Sequence, residues 1–145
     1  MKILIINGPN LNMLGEREPN VYGTKTLSDI EKETAQKITQ KNLQIEWYQS
    51  NIEGEIVSKI QAAFKDGTEA LIINPGGYAH TSVALHDALK ILKIPVIEVH
   101  LSQVYQREAF RHNLLTAKAC TAIMSGLGTD TYYLAICAIL NIKGN

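Results

Sequence analysis

The side chains best suited to moving protons fall in a few short stretches of this sequence. Glu98 and His100 stand two apart in an apolar, β-branched run, so on a strand they face the same way. A carboxylate beside an imidazole fixes the ring's tautomer and raises its basicity, and such a histidine can serve as a general acid. A strand-end histidine satisfied by backbone fits the same residues. Tyr22 lies near the end of Gly15-Glu16-Arg17-Glu18-Pro19-Asn20-Val21-Tyr22-Gly23-Thr24. A free phenol ionises near pH 10, so a phenolate working at neutral pH needs roughly 4 kcal/mol of differential stabilisation. Arg17, with Pro19 stiffening the chain between, is the candidate cation for a tyrosine acting as base. A plain packing anchor is the other reading of that tyrosine.

A second group of residues suits binding. Asn74-Pro75-Gly76-Gly77-Tyr78-Ala79-His80-Thr81-Ser82 reads as a turn that opens a helix, where glycines admit a ligand to the backbone and free N–H groups attract anions. A simple capped turn also fits. Arg107 and Arg111 are spaced for one helical face and offer a carboxylate or phosphate clamp, or else a solvated surface. Asp87 lies two helical turns beyond His80, roughly 10 Å along an axis, so the two do not reach one small substrate within one chain. Asp87 is therefore a surface charge or serves a neighbouring subunit. His86 and His112 read as surface residues. His80 and His100 have no third metal ligand at a convincing spacing, Gly126-Leu127-Gly128 lacks the third glycine of a dinucleotide fingerprint, and no Gly-rich loop precedes Lys-Ser/Thr.

The elements that must position these residues alternate along the chain. Strands are expected at 2–7, 43–49, 70–74, 95–101 and 121–124, most of them apolar on both faces as buried parallel strands are. Helical faces run through Leu27, Ile30, Thr34 and Ile38, with Thr26 and Asp29 as a cap; through Ile56, Ile60, Ala63 and Phe64; and through Ala84, Leu85, Ala88, Leu89 and Leu92. The segment after the fourth strand is irregular, with a short helix expected near 107–113. A last helix, 129–142, is apolar almost all round, which suggests burial on two sides and a subunit interface. This βα alternation predicts one α/β domain over 1–145, a three-layer sandwich around a five-stranded parallel sheet of flavodoxin-like order 2-1-3-4-5, with a Rossmann half-domain as the alternative. Ligands in such sheets bind at the carboxyl ends of the strands. The loops after strands one, three and four hold Asn7, Gly8, Pro9, Asn10 and Asn12; Asn74 to His80; and Glu98, His100 and Ser102, and in that order they converge on one crevice. The connection after strand one does not reach a helix until about Leu27, far beyond the usual 2 to 6 residues, so 15–25 reads as a lid.

Bulk properties narrow the partners. The 145 residues carry 14 Lys plus Arg against 14 Asp plus Glu, so no general field draws in nucleic acid or an anionic membrane. Cys120 and Cys137 lie in apolar surroundings as unpaired thiols, no run is long and apolar enough to span a bilayer, and the start enters a core strand directly, all of which points to a cytoplasmic protein.

Taken together, the motifs resemble one family. Ile6-Asn7-Gly8-Pro9-Asn10-Leu11-Asn12, Gly15-Glu16-Arg17-Glu18-Pro19 with Tyr22-Gly23, Asn51 with Glu53-Gly54-Glu55, Asn74 through Ser82, Glu98-Val99-His100-Leu101-Ser102, and Arg107-Glu108 with Phe110-Arg111-His112 are similar, in order, to the type II 3-dehydroquinate dehydratases. The resemblance implies a flavodoxin-like fold and trans-dehydration of 3-dehydroquinate to 3-dehydroshikimate without metal or organic cofactor. It implies Tyr22 as base assisted by Arg17, an enolate held through Asn12 and nearby backbone, and His100, oriented by Glu98, as acid. It also implies that Asn74, Gly76, Gly77, His80, Leu101, Ser102 and Arg111 bind substrate, and that Asp87 reaches a neighbouring site in a dodecamer built from trimers. The step belongs to the shikimate pathway of aromatic amino acid biosynthesis and also to quinate breakdown. The chain departs from the family's pattern at Gln103, at Asn113-Leu114-Leu115-Thr116 and at Thr129-Asp130, none of which is an implied acid or base. Three rivals fare worse: a receiver domain would want acidic residues where Asn7 and Asn74 stand, a flavin carrier would want a Ser/Thr-rich loop where Gly8-Pro9-Asn10-Leu11 stands, and a binding module without turnover would not need Arg17, Tyr22 and His100.

Overall fold

The structure, a computed structural model, describes residues 1–144. Its centre is a parallel sheet of β1 (Lys2–Asn7), β2 (Gln44–Gln49), β3 (Ala70–Asn74), β4 (Val96–His100) and β5 (Ala122–Ser125), in the order β2-β1-β3-β4-β5. This is the flavodoxin-like arrangement, and the Rossmann alternative falls away. The helices are α1 (Pro19–Tyr22), α2 (Leu27–Lys37), α3 (Glu53–Ala63), α4 (Val83–Ile91) and α5 (Thr131–Lys143).

Side-chain alternation divides the core. Ile3 and Ile5 of β1, Ala70 and Ile72 of β3 and Ile97 and Val99 of β4 face a layer completed by Ile30 of α2 and by Tyr132, Ala135, Ile136 and Ile139 of α5. Leu4, Ile6, Leu71, Ile73 and Val96 face Ile56 and Ile60 of α3 and Leu85, Ala88 and Leu89 of α4. Each fully buried Ile or Leu contributes about 1.5–3 kcal/mol, so both faces of the sheet are anchored. Glu98 and His100 share the parity of Val96, so they project into the α3/α4 layer, and Glu98 is fully buried there.

Two caps close as expected: Thr26 Oγ1 accepts from the Asp29 N–H at 3.1 Å while Asp29 accepts from the Thr26 N–H at 3.0 Å, and Ser82 accepts from the Leu85 N–H at 2.9 Å. Three expectations are corrected. The glycine-rich segment after β3 does not open a helix directly: Gly76–His80 is a 3-10 turn, and α4 begins only at Val83. His80 therefore precedes the helix that carries Asp87, and the helical-spacing argument does not hold for the pair. The 107–113 segment holds no α-helix but a 3-10 turn at Ala109–His112. Helix α5 buries a single face in this chain, leaving Leu134 and Ile142 outward, 36 % and 48 % exposed.

The loops after β1 and β3 are interlocked. The Gly8 N–H donates to the Asn74 carbonyl at 2.8 Å, and a Cβ on Gly8 would run into the Pro75 carbonyl. Gly76, at φ 60°, occupies the left-handed region, and a Cβ there would sit 3.0 Å from the Pro9 carbonyl. Glycine at both positions lets the two loops form one rigid rim.

Candidate active site

A cavity of about 180 Å³ opens at the carboxyl ends of β1, β3 and β4. Pro9, Asn10, Leu11 and Leu14 from the β1 loop, Asn74, Gly76, Gly77 and His80 from the β3 loop, and His100, Leu101 and Ser102 from β4 form its walls, with Arg17, Tyr22, Arg107 and Arg111 around it. The structure thus gathers most of the expected site residues. Two of them stand apart. Asn12 is exposed on the 3-10 turn Leu11–Met13, and Asp87 is exposed on α4, pairing with His86 Nδ1 at 3.0 Å; neither lines the cavity.

On the β4 wall, the His100 Nε2–H donates to Glu98 Oε1 at 2.7 Å. Glu98 lies beneath the wall, and its other oxygen accepts from the Thr116 hydroxyl at 2.6 Å, with the Cys120 thiol 3.9 Å away. This arrangement leaves His100 Nδ1 as the ring nitrogen for a ligand. The Cys120 thiol is pushed up to about 12, first by burial and then by the Glu98 charge, so it stays protonated. The His80 ring lies against His100 with centroids 6.4 Å apart, nearly parallel at 23°. His80 donates from Nδ1 to the Asn113 carbonyl at 2.9 Å, which leaves Nε2 as an acceptor. Burial holds its pKa below the usual histidine value, with the neighbouring His100 and Arg111 adding to the same direction and the Asn113 carbonyl opposing it.

Beneath β3, the Asn74 amide is fixed from two sides. Its Oδ1 accepts from the Gly76 N–H at 3.2 Å, and its Nδ2 donates to the Tyr132 hydroxyl at 3.2 Å. Tyr132 donates in turn to Asn7 Oδ1 at 2.5 Å, and its burial pushes the phenol well above the ordinary tyrosine range. A substrate therefore meets an amide whose orientation is already set.

On the opposite side, Tyr22 is brought in by α1, a single turn with Pro19 at its start, where a missing N–H costs nothing. Arg17 was expected to sit at the phenol oxygen. Instead its guanidinium stacks over the Tyr22 ring, 4.8 Å from the centroid, and pairs with Glu18 at 3.0 Å. The bond to the oxygen comes from Arg107, whose Nη1 donates to Tyr22 Oη at 2.5 Å. Arg107 and Arg111 do not share a face: Arg107 is extended at φ −100° and ψ −166°, ahead of the turn that carries Arg111. Arg111 lines the cavity and is held by Glu108 at 2.8 Å. No local pattern signals the Arg107–Tyr22 bond, which spans 85 residues; only the juxtaposition of the β1 and β4 loops does. Thr116 was equally hidden, in a stretch that departs from the family's pattern. Among the described residues, no group of three His, Cys, Asp or Glu side chains is placed to hold a metal ion.

The arrangement supplies an imidazole backed by a buried carboxylate, a phenol between two guanidiniums, and a separate arginine for an anion. Comparisons with known proteins agree with it. The family described as "Dehydroquinase class II" matches residues 1–140. A 3-dehydroquinate dehydratase of Caldicellulosiruptor bescii is 48 % identical over 141 residues, 97 % of either chain. One from Bartonella tribocorum is 53 % identical over 134 residues, 92 % of this chain and 89 % of that one. The crystal structure of a type II dehydroquinase from Butyrivibrio crossotus superimposes with a TM-score of 0.92 at 46 % identity, covering 96 % of this chain and 97 % of its own. A family match over nearly the whole length, on top of this sheet order and this cavity, places the chain in the class II dehydroquinase family.

Proposed function

We propose that the chain dehydrates 3-dehydroquinate to 3-dehydroshikimate by a trans elimination through an enolate, with Tyr22 as base and His100 as acid. The observation that carries this reading is that one small cavity receives both the Tyr22–Arg107 pair and the Glu98–His100 pair from different walls.

The chemistry sets three demands: removal of a proton beside a ketone, stabilisation of the resulting enolate, and protonation of a departing hydroxyl. The Arg107 N–H at the phenol oxygen stabilises a Tyr22 phenolate by a charge-assisted hydrogen bond, and the Arg17 cation over the ring adds to it. The phenolate takes the proton next to the carbonyl, and the C–H electrons move into a carbon–carbon double bond with charge on the ketone oxygen. Exposed Asn12 and the backbone of the Gly76–Gly77 wall are the groups proposed to hold that enolate, Asn12 by turning inward when substrate binds. The enolate then re-forms the ketone and expels the β-hydroxyl, which takes the Nδ1 proton of a His100 imidazolium and leaves as water. Glu98 at Nε2 favours the imidazolium and fixes the ring.

Arg111 is the proposed partner of the substrate carboxylate, and Asn74, His80 and the Leu101–Ser102 backbone are proposed to take its hydroxyls. The segment 15–25 acts as a lid. Asp87, turned away from its own cavity, is proposed to serve a neighbouring subunit's site in a dodecamer of trimers. The reaction needs no cofactor, runs in the cytoplasm, and serves aromatic amino acid biosynthesis or quinate breakdown.

The test is turnover of 3-dehydroquinate, followed by the ultraviolet absorbance of the conjugated enone. The wild type turns over; folded Tyr22→Phe and His100→Ala variants each fall by about 10³-fold or more, in the upper range for loss of general acid–base catalysis. A Tyr22→Phe variant as fast as wild type removes that residue from its role. Tight binding without turnover in the wild type points to a binding module instead.

A further inference from the structure

Glu98 poses a problem that the His100 bond alone does not solve. It is a fully buried carboxylate whose strand neighbours across the sheet are Ile73 and Ile123 and whose layer has a buried core of aliphatic side chains. A buried carboxylate oxygen left without a hydrogen-bond partner is costly. A Glu98 free to turn would no longer hold the His100 Nε2–H, and the ring would lose its fixed orientation. The second oxygen is met by the Thr116 hydroxyl at 2.6 Å. Thr116 is itself fully buried, and it stands at the head of the 3-10 turn Thr116–Ala119, which packs against α4 and the Gly76–His80 turn.

We propose that Thr116 is a positioning residue for the reaction: its hydroxyl fixes the Glu98 carboxylate in plane, and through Glu98 sets the orientation of His100. With both carboxylate oxygens tied, one to Thr116 and one to His100, Glu98 cannot rotate, and the ring inherits that rigidity. Cys120 does not replace the hydroxyl. Its sulfur lies 3.9 Å from the same oxygen and 3.4 Å from the Thr116 carbonyl, and a thiol is a weak donor. The remaining titratable and charged groups nearby, His80 and Arg111, face the pair from the cavity side and not from beneath the carboxylate.

This inference rests on His100 as the acid, and the experiment separates the two claims. Initial rates of enone formation give kcat and KM for wild type, Thr116→Val, Thr116→Ser, Glu98→Gln, the Glu98→Gln/Thr116→Val double variant and His100→Ala. Thr116→Val, nearly isosteric but without the hydroxyl, lowers kcat by about 10- to 100-fold, the scale of one lost hydrogen bond to a charged group, and leaves KM within about twofold. Thr116→Ser restores the donor and recovers kcat to within about threefold. In the Glu98→Gln background, Thr116→Val costs less than about twofold more, because the two residues act in series. Should Thr116→Val fail to fold, Thr116→Ala is read by the same criteria. A Thr116→Val kcat within twofold of wild type, a Ser variant as impaired as Val, or a full additional loss in the Glu98→Gln background each overturns the proposal. Activity retained in His100→Ala overturns the acid assignment beneath it, whatever the Thr116 variants do.

Discussion

The two sides of the cavity are built in opposite ways. On the β4 side, Glu98 is fully buried, His100 is 7 % exposed, and Thr116 is fully buried behind them. One bond of that group lies within β4 and the other ties β4 to the turn packed beneath it. On the other side, no residue of α1 is fully buried, and Tyr22 is held at its oxygen by Arg107, reaching across from the loop after β4. Glu18, just before α1, takes a left-handed φ of 37°, which a non-glycine residue adopts only under constraint. The side that carries the proposed acid is thus complete as soon as the sheet folds. The side that carries the proposed base is complete only while the segment 15–25 rests against the β4 loop. A reaction that needs both water exclusion and substrate entry gains from this division, since one half of the machinery can move while the other stays aligned.

The largest effects test whether the base side depends on that crossing bond. Arg107→Gln is expected to lower kcat by about 10²-fold, as loss of a charge-assisted bond to the reacting phenol would. Arg17→Gln also lowers kcat. Because both guanidiniums act on one phenol, the double variant falls by less than the product of the two single losses. A fully multiplicative double variant would show that the arginines work on separate groups, and the picture of one shared phenolate would fail.

Next in size is the rim that joins the two sides. Gly8→Ala forces a Cβ into the Pro75 carbonyl, where neither loop has room to shift. It is expected to cost about 1–3 kcal/mol, as overpacking does, read as a lowered melting temperature. Gly77→Ala is the control, because a Cβ there meets nothing within 4 Å. Equal melting temperatures for the two variants would mean that the β1 and β3 loops are not locked together as described. A smaller effect concerns the proposed lid: limited proteolysis should cut within 15–25 well before the β4 turns, and a bound product should slow that cut by about tenfold or more. Cleavage at 104–119 first would reverse the assignment of rigid and mobile sides.

What the sequence revealed follows the same division. The strands were legible because β1, β3 and β4 are apolar on both faces, and their ends differed from expectation by a residue or so at β2, β4 and β5. Glu98 and His100 could be paired from spacing alone, since a strand guarantees that residues two apart share a face. The segments that carry Arg107, Arg111 and Thr116 gave no such handle. They fold as 3-10 turns, with Arg107 on an extended residue between two of them, and nothing in their local pattern points to their partners, Tyr22 and Glu98. The same lack of period hid the turn at Gly76–His80, so the helical spacing assigned to His80 and Asp87 was misplaced. Arg17 was identified as a partner of Tyr22 because the two lie close in sequence. It is a partner of the ring, while the oxygen belongs to a residue far along the chain.

The smallest effect probes the rigid side through its stability. Burial holds His80 below the ordinary histidine pKa of 6.5, against the Asn113 carbonyl that raises it. In the unfolded chain His80 takes its proton near 6.5; in the folded protein it does so at lower pH. Between those points the unfolded state binds more protons, so this histidine's contribution to stability is intact above 6.5 and is lost as pH falls below it. Thermal melts from pH 8 to pH 5 should therefore drop more steeply for wild type than for His80→Asn. His100, Glu98 and Arg111 face His80 and are the same in both proteins, so the difference between the curves isolates the one ring. Parallel curves would mean that the His80 ring is solvated as freely as in the unfolded chain, and the β3 turn that carries it would then be softer than the Glu98–His100–Thr116 group beside it.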